Sequence, residues 1–118
     1  MLDRVDALEK ELADVEARLG DPAIASDPRR LPALAKRHKE LDQVVTCGRR
    51  LRAAHDDLAA ARELYAESDP ADRELLRGDI AGYEADIASL EDELKVLMLP
   101  RDPLDEKNVI VEIRGAEG

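Results

Sequence analysis

The stretch that decides the fold is residues 70–98, PADRELLRGDIAGYEADIASLEDELKVLM. Its apolar side chains recur at alternating intervals of four and three residues, the a/d pattern of a helix that packs along another helix. This seam consists of Leu76, Ile80, Tyr83, Ile87, Leu90, Leu94 and Leu97. Just before it, Ser68-Asp69-Pro70 supplies a capping side chain and a proline for the first helical position. We therefore predict a helix over residues 70–98 that needs a helical partner.

The nearest partner lies directly upstream, after a second cap-and-proline signal at Asp27-Pro28. The apolar period that follows is helical as far as residue 67, but its register shifts. Spacings of seven relate Leu34 to Leu41 and, in the other register, Val44 to Leu51, Leu58 and Tyr65. We predict one helix over about residues 28–67 that contacts different neighbours at its two ends. Gly48 inside it indicates either a kink or a close approach of another helix.

A first helix is predicted over residues 2–19, where Val5, Leu8, Leu12, Val15 and Leu19 form one stripe. Gly20 stands where a left-handed cap would end it, and Asp21-Pro22 prevents its continuation. The predicted fold class is all-α, a three-helix bundle or antiparallel coiled-coil hairpin. We expect these helices to form one amino-terminal domain over residues 1–99.

Residues 100–118 have a different character. A polar, proline-containing linker leads to Asn108-Val109-Ile110-Val111-Glu112-Ile113-Arg114, which reads as a strand. A lone strand cannot satisfy its own backbone donors and acceptors, and the rest of the sequence predicts helices. We expect the segment to begin a truncated α/β domain and the chain to be a fragment.

Composition limits the classes of function. The formal charge of −10 argues against a free-standing nucleic-acid binder, which needs clustered Lys and Arg. Cys47 is the single cysteine, so no internal disulfide and no cysteine metal cluster can form. The first residues are amphipathic and acidic rather than the apolar core expected of a secretory leader, and no apolar run approaches the roughly 20 residues that span a bilayer. We expect a soluble, cytoplasmic protein without a membrane partner.

Basic residues are concentrated in the second predicted helix. Two clusters consist of Lys36, Arg37 and Lys39 and of Arg49, Arg50 and Arg52. One interpretation is a partner-binding face for ribosomal RNA or an acidic protein surface. The other, which we favour, is a solvated face that balances the acidic third predicted helix through interhelical ion pairs. No aromatic side chains are interleaved to stack bases, which weakens the RNA interpretation.

The remaining polar residues predict no enzyme, cofactor or metal site. Adjacent carboxylates such as Glu91-Asp92-Glu93 point in different directions on a helix and do not converge on one ion. His38 and His55 are seventeen residues apart, which is not the spacing of a ligand pair, and structural packing or a hydrogen-bonded core position is favoured for both. Cys47 lacks an activating base nearby in sequence, so we expect a buried, inert thiol.

The segment Leu99-Pro100-Arg101-Asp102-Pro103-Leu104-Asp105-Glu106-Lys107 and the strand after it resemble the junction between the first and central domains of class I peptide chain release factors. The order of helices before it is also similar to that family. The linker looks more like the branch that reads UAA and UAG than the branch that reads UAA and UGA. The family's codon-reading tripeptide and its Gly-Gly-Gln loop do not occur here, so no such residue is transferred.

The resemblance implies a noncatalytic docking module of a translation-termination factor. Its expected partners are the ribosome, near the stalk base, and the GTPase class II release factor, without direct codon or tRNA contact by this chain. A weak homodimer is also compatible with this role. A different interpretation is a coiled-coil adaptor that dimerises through the seam of residues 76–97. A third is an RNA-binding helical hairpin, which predicts strongly salt-dependent binding.

Overall fold

The computed structural model describes residues 1–99, and the predicted linker and strand of residues 100–118 lie outside the described part. The described residues 1–99 form four helices: α1 (Leu2–Leu19), α2 (Pro22–Ala25), α3 (Leu31–Glu67) and α4 (Pro70–Leu97). Within residues 1–99 the all-α helical-hairpin prediction is confirmed. None of these helices is long and apolar enough to cross a membrane.

The hairpin of α3 and α4 is the main body of the fold. Asp69 accepts a hydrogen bond from the backbone N–H of Asp72 at 2.9 Å, and Pro70 begins α4, as the cap-and-proline signal predicts. The turn is held by Arg73, which donates to the carbonyl oxygens of Tyr65 at 3.0 Å and Ala66 at 3.3 Å. Its guanidinium also lies 5.1 Å from the centre of the Tyr65 ring. These bonds satisfy carbonyls that the end of α3 would otherwise leave without partners.

The helix α3 contacts different neighbours along its length, which confirms the interpretation of its shifted register. Towards its N-terminal end it packs on α1 through one core cluster: Leu12, Val15, Leu41 and Val45. From its middle onward it packs on α4 through a second cluster, in which Val5 of α1 also takes part: Val5, Val44, Cys47, Leu51, Ala54, Leu58, Ile87, Leu90 and Leu94. The seam of α4 is therefore covered within the chain.

Gly48 lies at a close approach between α1 and α3. The helix α3 runs through Gly48 without interruption, and the predicted alternative of close packing is confirmed. A Cβ atom on Gly48 would lie 2.5 Å from Cγ1 of Val5. Val5 is buried against this bare stretch of backbone, and α1 sits closer to α3 than any residue with a side chain would permit.

Three local predictions at the helix ends were wrong. First, α3 begins at Leu31 rather than residue 28, because Pro32 lacks an N–H and is tolerated only in a first turn. Second, Asp27 instead accepts from the N–H of Arg29 at 2.9 Å in the turn that precedes the helix. Third, Gly20 is right-handed, with φ −81°, because the chain enters the unpredicted short helix α2 directly. There Asp21 accepts from the N–H of Ala23 at 3.0 Å.

Candidate docking surface

The six basic residues of the predicted partner-binding face do not form one surface. Arg37, Arg49 and Arg52 extend towards α1 and are ion-paired there. On a helix with 100° per residue, Lys36, Lys39 and Arg50 fall on a different side of α3. Arg50 lines the open groove between α3 and α4, with Asp57, Asp86 and Glu93 on its other walls. The structure thus separates the set into two groups of three.

The first group joins α1 to α3 through carboxylates spread along α1. Arg37 donates to both carboxylate oxygens of Glu11, at 2.6 and 2.8 Å, in a bidentate pair. Two further pairs and one histidine contact extend the row: Arg49–Glu9 at 3.0 Å, Arg52–Asp6 at 2.8 Å and His38–Glu16 at 3.1 Å. We expected the arginines of the two basic clusters to pair with carboxylates of the more acidic α4. The carboxylates that pair with Arg37, Arg49 and Arg52 belong to α1 instead. These arginines are neutralised within the chain, which argues against the RNA-binding hairpin.

The Glu11–Arg37 pair shifts the pKa of both of its members. The hydrogen bonds from Arg37 lower the pKa of Glu11 below its ordinary value of 4.5, and Glu11 raises the pKa of Arg37 in return. Both side chains keep about two-fifths of their surface exposed, at 41% and 42%. Solvent screening therefore limits the pair to about 0.5–1 kcal/mol.

Replacing Glu11 with glutamine is expected to lower the free energy of unfolding by about 0.5–1 kcal/mol at pH 7. Because the pKa of Glu11 is lower in the folded chain, its stabilisation is present above pH 4.5 and is lost as the pH falls through the folded value. Urea titrations at pH 7 and at successively lower pH measure the difference between the two chains. It should shrink towards zero in acid, and a difference that is constant with pH would contradict the assignment.

The matched control is Glu63→Gln. Glu63 is exposed on α3 and forms no ion pair with any residue in 1–99. Its replacement should change stability by less than about 0.5 kcal/mol.

Three side chains were weighed as possible sites of chemistry: Cys47, His38 and His55. Cys47 is buried, as predicted, and its Sγ donates to the Leu90 carbonyl at 3.6 Å. Burial, followed by the nearby carboxylate of Glu93, raises the pKa of this thiol, which disfavours the reactive thiolate. His55 is exposed, so its predicted core position was wrong, whereas His38 is half-buried against Glu16. Among residues 1–99, no three acidic, histidine or cysteine side chains are placed to hold a metal ion.

Sequence reasoning did not single out three exposed apolar side chains. Among residues 1–99, Leu64 on α3 and Leu75 and Val96 on α4 are large apolar side chains that are 56%, 73% and 66% exposed. They fall outside the heptad seam and so carried no signal in a search for core residues. They could have been identified in the sequence as the large apolar residues of the helices that the seam does not include.

Comparison with known proteins agrees with this architecture. The family model described as PCRF domain matches residues 8–118. The protein named Peptide chain release factor 1 from Bacillus licheniformis is 40% identical over 119 aligned residues, which cover 100% of this chain and 33% of the relative. Its namesake from Deinococcus radiodurans is 42% identical over 120 residues, 99% of this chain and 32% of the relative.

A third relative of the same name, from Clostridioides difficile, is 39% identical and is covered to 34% of its length. The chain thus spans about a third of the length of the curated relatives it matches, and it corresponds to their N-terminal third. No solved structure matches the chain. Since the family model accounts for nearly all of the sequence, including the linker segment, the chain belongs to the PCRF domain family.

Proposed function

We propose that this chain is the amino-terminal docking domain of a peptide chain release factor that acts in translation termination at UAA and UAG codons in the cytoplasm. The observation that carries the proposal is the match of the whole chain to the N-terminal third of proteins named Peptide chain release factor 1. The proposed division is a helical domain over residues 1–99, followed in residues 100–118 by the start of a second domain. Codon reading and peptide release belong, in this proposal, to parts of such a factor beyond this chain.

The helices support a docking role rather than chemistry. The hairpin is held at its turn by Arg73 and along α1 by a row of ion pairs, so it presents fixed exterior faces. The proposed partners are the ribosome, near the stalk base, and the GTPase class II release factor. The candidate basic contacts are Lys36, Lys39 and Arg50, which fall on a different side of α3 from the row of ion pairs with α1. The seam of α4 is covered inside the chain, which disfavours an adaptor that dimerises through it.

The proposal predicts binding without release. The purified chain should sediment with bacterial ribosomes, and removal of the stalk-base proteins from those ribosomes should weaken this binding. Added to ribosomes stalled at a UAA codon with a labelled peptidyl-tRNA, it should release no peptide above buffer, because peptidyl-tRNA ester hydrolysis is assigned to another part of the factor. The intact factor from Bacillus licheniformis serves as the positive control for release. Failure to sediment would refute the docking role, and measurable release would refute the assignment of catalysis.

A further inference from the structure

The helix α1 is held on the hairpin by one face and is joined to α3 by a connection that is not anchored. This connection, residues 20–30, includes α2 and contains no buried residue. The buried residues of α1 are Val5, Leu12 and Val15. Leu12 and Val15 pack on α3, and Val5 is the one buried residue of α1 in the core cluster that α3 shares with α4. The packing of α1 therefore depends almost entirely on α3.

The hairpin of α3 and α4 depends much less on α1. All nine buried residues of the cluster between α3 and α4 belong to those two helices, except Val5. The turn between the helices is held by Arg73, which lies far along the chain from α1. Elements with few buried apolar contacts open at a lower free energy than the core does. Within residues 1–99, α1 is thus placed to open while the hairpin stays folded.

The ion pairs that hold α1 on α3 all lie at the surface. The side chains that form them are 38% to 65% exposed, in the pairs Arg37–Glu11, Arg49–Glu9 and Arg52–Asp6. Dissolved salt weakens ion pairs between exposed side chains. The attachment of α1 therefore depends on ionic strength, whereas burial of apolar side chains dominates the contact between α3 and α4.

Undocking of α1 uncovers a stripe of α3 that we call the α1 seat. Its floor is apolar and consists of Leu41 and Val45, next to the bare backbone of Gly48 on which Val5 packs. Its polar part is the row Arg37, Arg49 and Arg52. The docked α1 shows which chemistry fits this seat: an amphipathic helix with an apolar stripe and a line of carboxylates beside it.

We propose that α1 is a releasable strap, which undocks from α3 as one unit while the hairpin stays folded, and that the α1 seat then accepts an acidic amphipathic helix of a partner protein. The docked form is the resting state, and the undocked form is a minor population. A tethered α1 competes at an effective concentration of about 1 mM, so a free helix displaces it poorly. A partner that is already bound to the same protein competes on equal terms.

The apolar floor favours an acidic helix over RNA as the occupant of the α1 seat. A phosphate backbone can bind the arginines but leaves Leu41 and Val45 uncovered, and residues 31–52 contain no Phe, Tyr or Trp on which bases could stack. The strap goes beyond the proposed docking role and does not rest on it, because α1 opens whether or not the chain binds ribosomes.

Amide hydrogen exchange of the 15N-labelled 118-residue chain measures the undocking directly. The amides of residues 8–19 should exchange through one common opening and faster than those of residues 87–94. Raising sodium chloride from about 0.05 M to about 1 M should speed the exchange of α1 roughly fivefold and leave that of α4 unchanged. Exchange of α1 only at the rate of α4, or without dependence on salt, would overturn the strap.

A charge-reversal variant releases the strap and has a matched control on the same helix. Glu9→Lys with Glu11→Lys replaces two attractions with repulsions, so residues 8–19 should exchange at least about tenfold faster while α4 stays protected. The control, Asp3→Lys with Asp14→Lys, makes the same change in charge at exposed positions that form no ion pair with α3 within residues 1–99. It should exchange within about twofold of the original chain. Loss of protection throughout α4 in the first variant would refute an independent hairpin.

A synthetic peptide with the sequence of residues 1–20 tests the α1 seat. At about 1 mM it should shift the amide resonances of residues 41–49 in the Glu9→Lys, Glu11→Lys variant and leave the control variant unchanged. A peptide that itself carries Glu9→Lys and Glu11→Lys should cause no shifts. The α1 seat is disproved by an absence of shifts with the first peptide or by equal shifts with the second. Equal shifts with a single-stranded RNA of about 12 nucleotides would replace the acidic helix by RNA as the occupant.

Sedimentation with ribosomes tests the proposed function separately from the strap. A chain that passes the exchange and peptide tests but does not sediment retains the strap and loses the docking role. A chain that sediments but fails either test retains the docking role and loses the strap.

Discussion

Replacing Leu94 with alanine is expected to lower the free energy of unfolding by about 2–5 kcal/mol, the largest single effect we predict. Leu94 has none of its surface exposed and lies in the core cluster that also contains Val5 of α1 and Leu51 of α3. Truncation removes apolar contacts and leaves a cavity at a place where three helices meet, so the surroundings can collapse little. Thermal and urea unfolding followed by circular dichroism at 222 nm measures the loss.

The matched control for this variant is Leu75→Ala on the same helix. Leu75 is 73% exposed, so its truncation should change stability by less than about 0.5 kcal/mol. At about 4–8 °C of midpoint shift per kcal/mol for a domain of this size, the two variants should differ by well over 5 °C. Equal effects of the two truncations would mean that α4 does not pack on α3 through the seam described above.

Gly48→Ala is expected to destabilise the chain although alanine is the better helix former. The added Cβ would lie 2.5 Å from Cγ1 and 3.3 Å from Cβ of Val5, so rotation of the Val5 side chain cannot clear it and α1 must move. Overpacking of this kind costs about 1–3 kcal/mol, which exceeds the roughly 1 kcal/mol gained in helix propensity. Urea unfolding of the variant should therefore show a lower midpoint.

Gly78→Ala and Gly82→Ala are the internal controls, with the opposite sign. A Cβ at either position meets nothing within 4 Å, so each substitution should raise the free energy of unfolding by roughly 1 kcal/mol. The sign therefore depends on the neighbour and not on the residue type. If Gly48→Ala stabilised the chain as much as the other two, the close contact between α1 and α3 would be refuted.

The contrast between these glycines shows how far the fold could be predicted from the sequence. All three interrupt a helical pattern, and sequence reasoning at Gly48 left both a kink and a close approach open. Helical periodicity predicts which side of a helix is apolar, but it does not predict which atom of a neighbouring helix contacts a given residue. That depends on the relative rotation and height of two helices, which the summed packing of both determines.

The same limit separates the predicted basic face from the observed one. Lys36, Arg37 and Lys39 are neighbours in sequence, yet Arg37 is engaged by Glu11 while the other two fall on a different side of α3. A cluster of basic residues along a chain is therefore not a cluster in space. The acidic partners were expected on the helix with the largest negative charge, and tertiary packing instead brought α1 alongside these arginines.

Local chemistry determined that the three long helices form and where the turn between α3 and α4 lies. The 3.5–3.6-residue apolar period and the Asp69-Pro70 cap act through backbone bonds and neighbouring side chains. Each can therefore be recognised in a short stretch of sequence without knowledge of the rest of the chain. Tertiary structure decided which arginines are neutralised, which glycine is covered and which apolar residues stay exposed. Those properties depend on distances between segments far apart in sequence, because an ion pair or a close contact exists only where two helices bring both partners together.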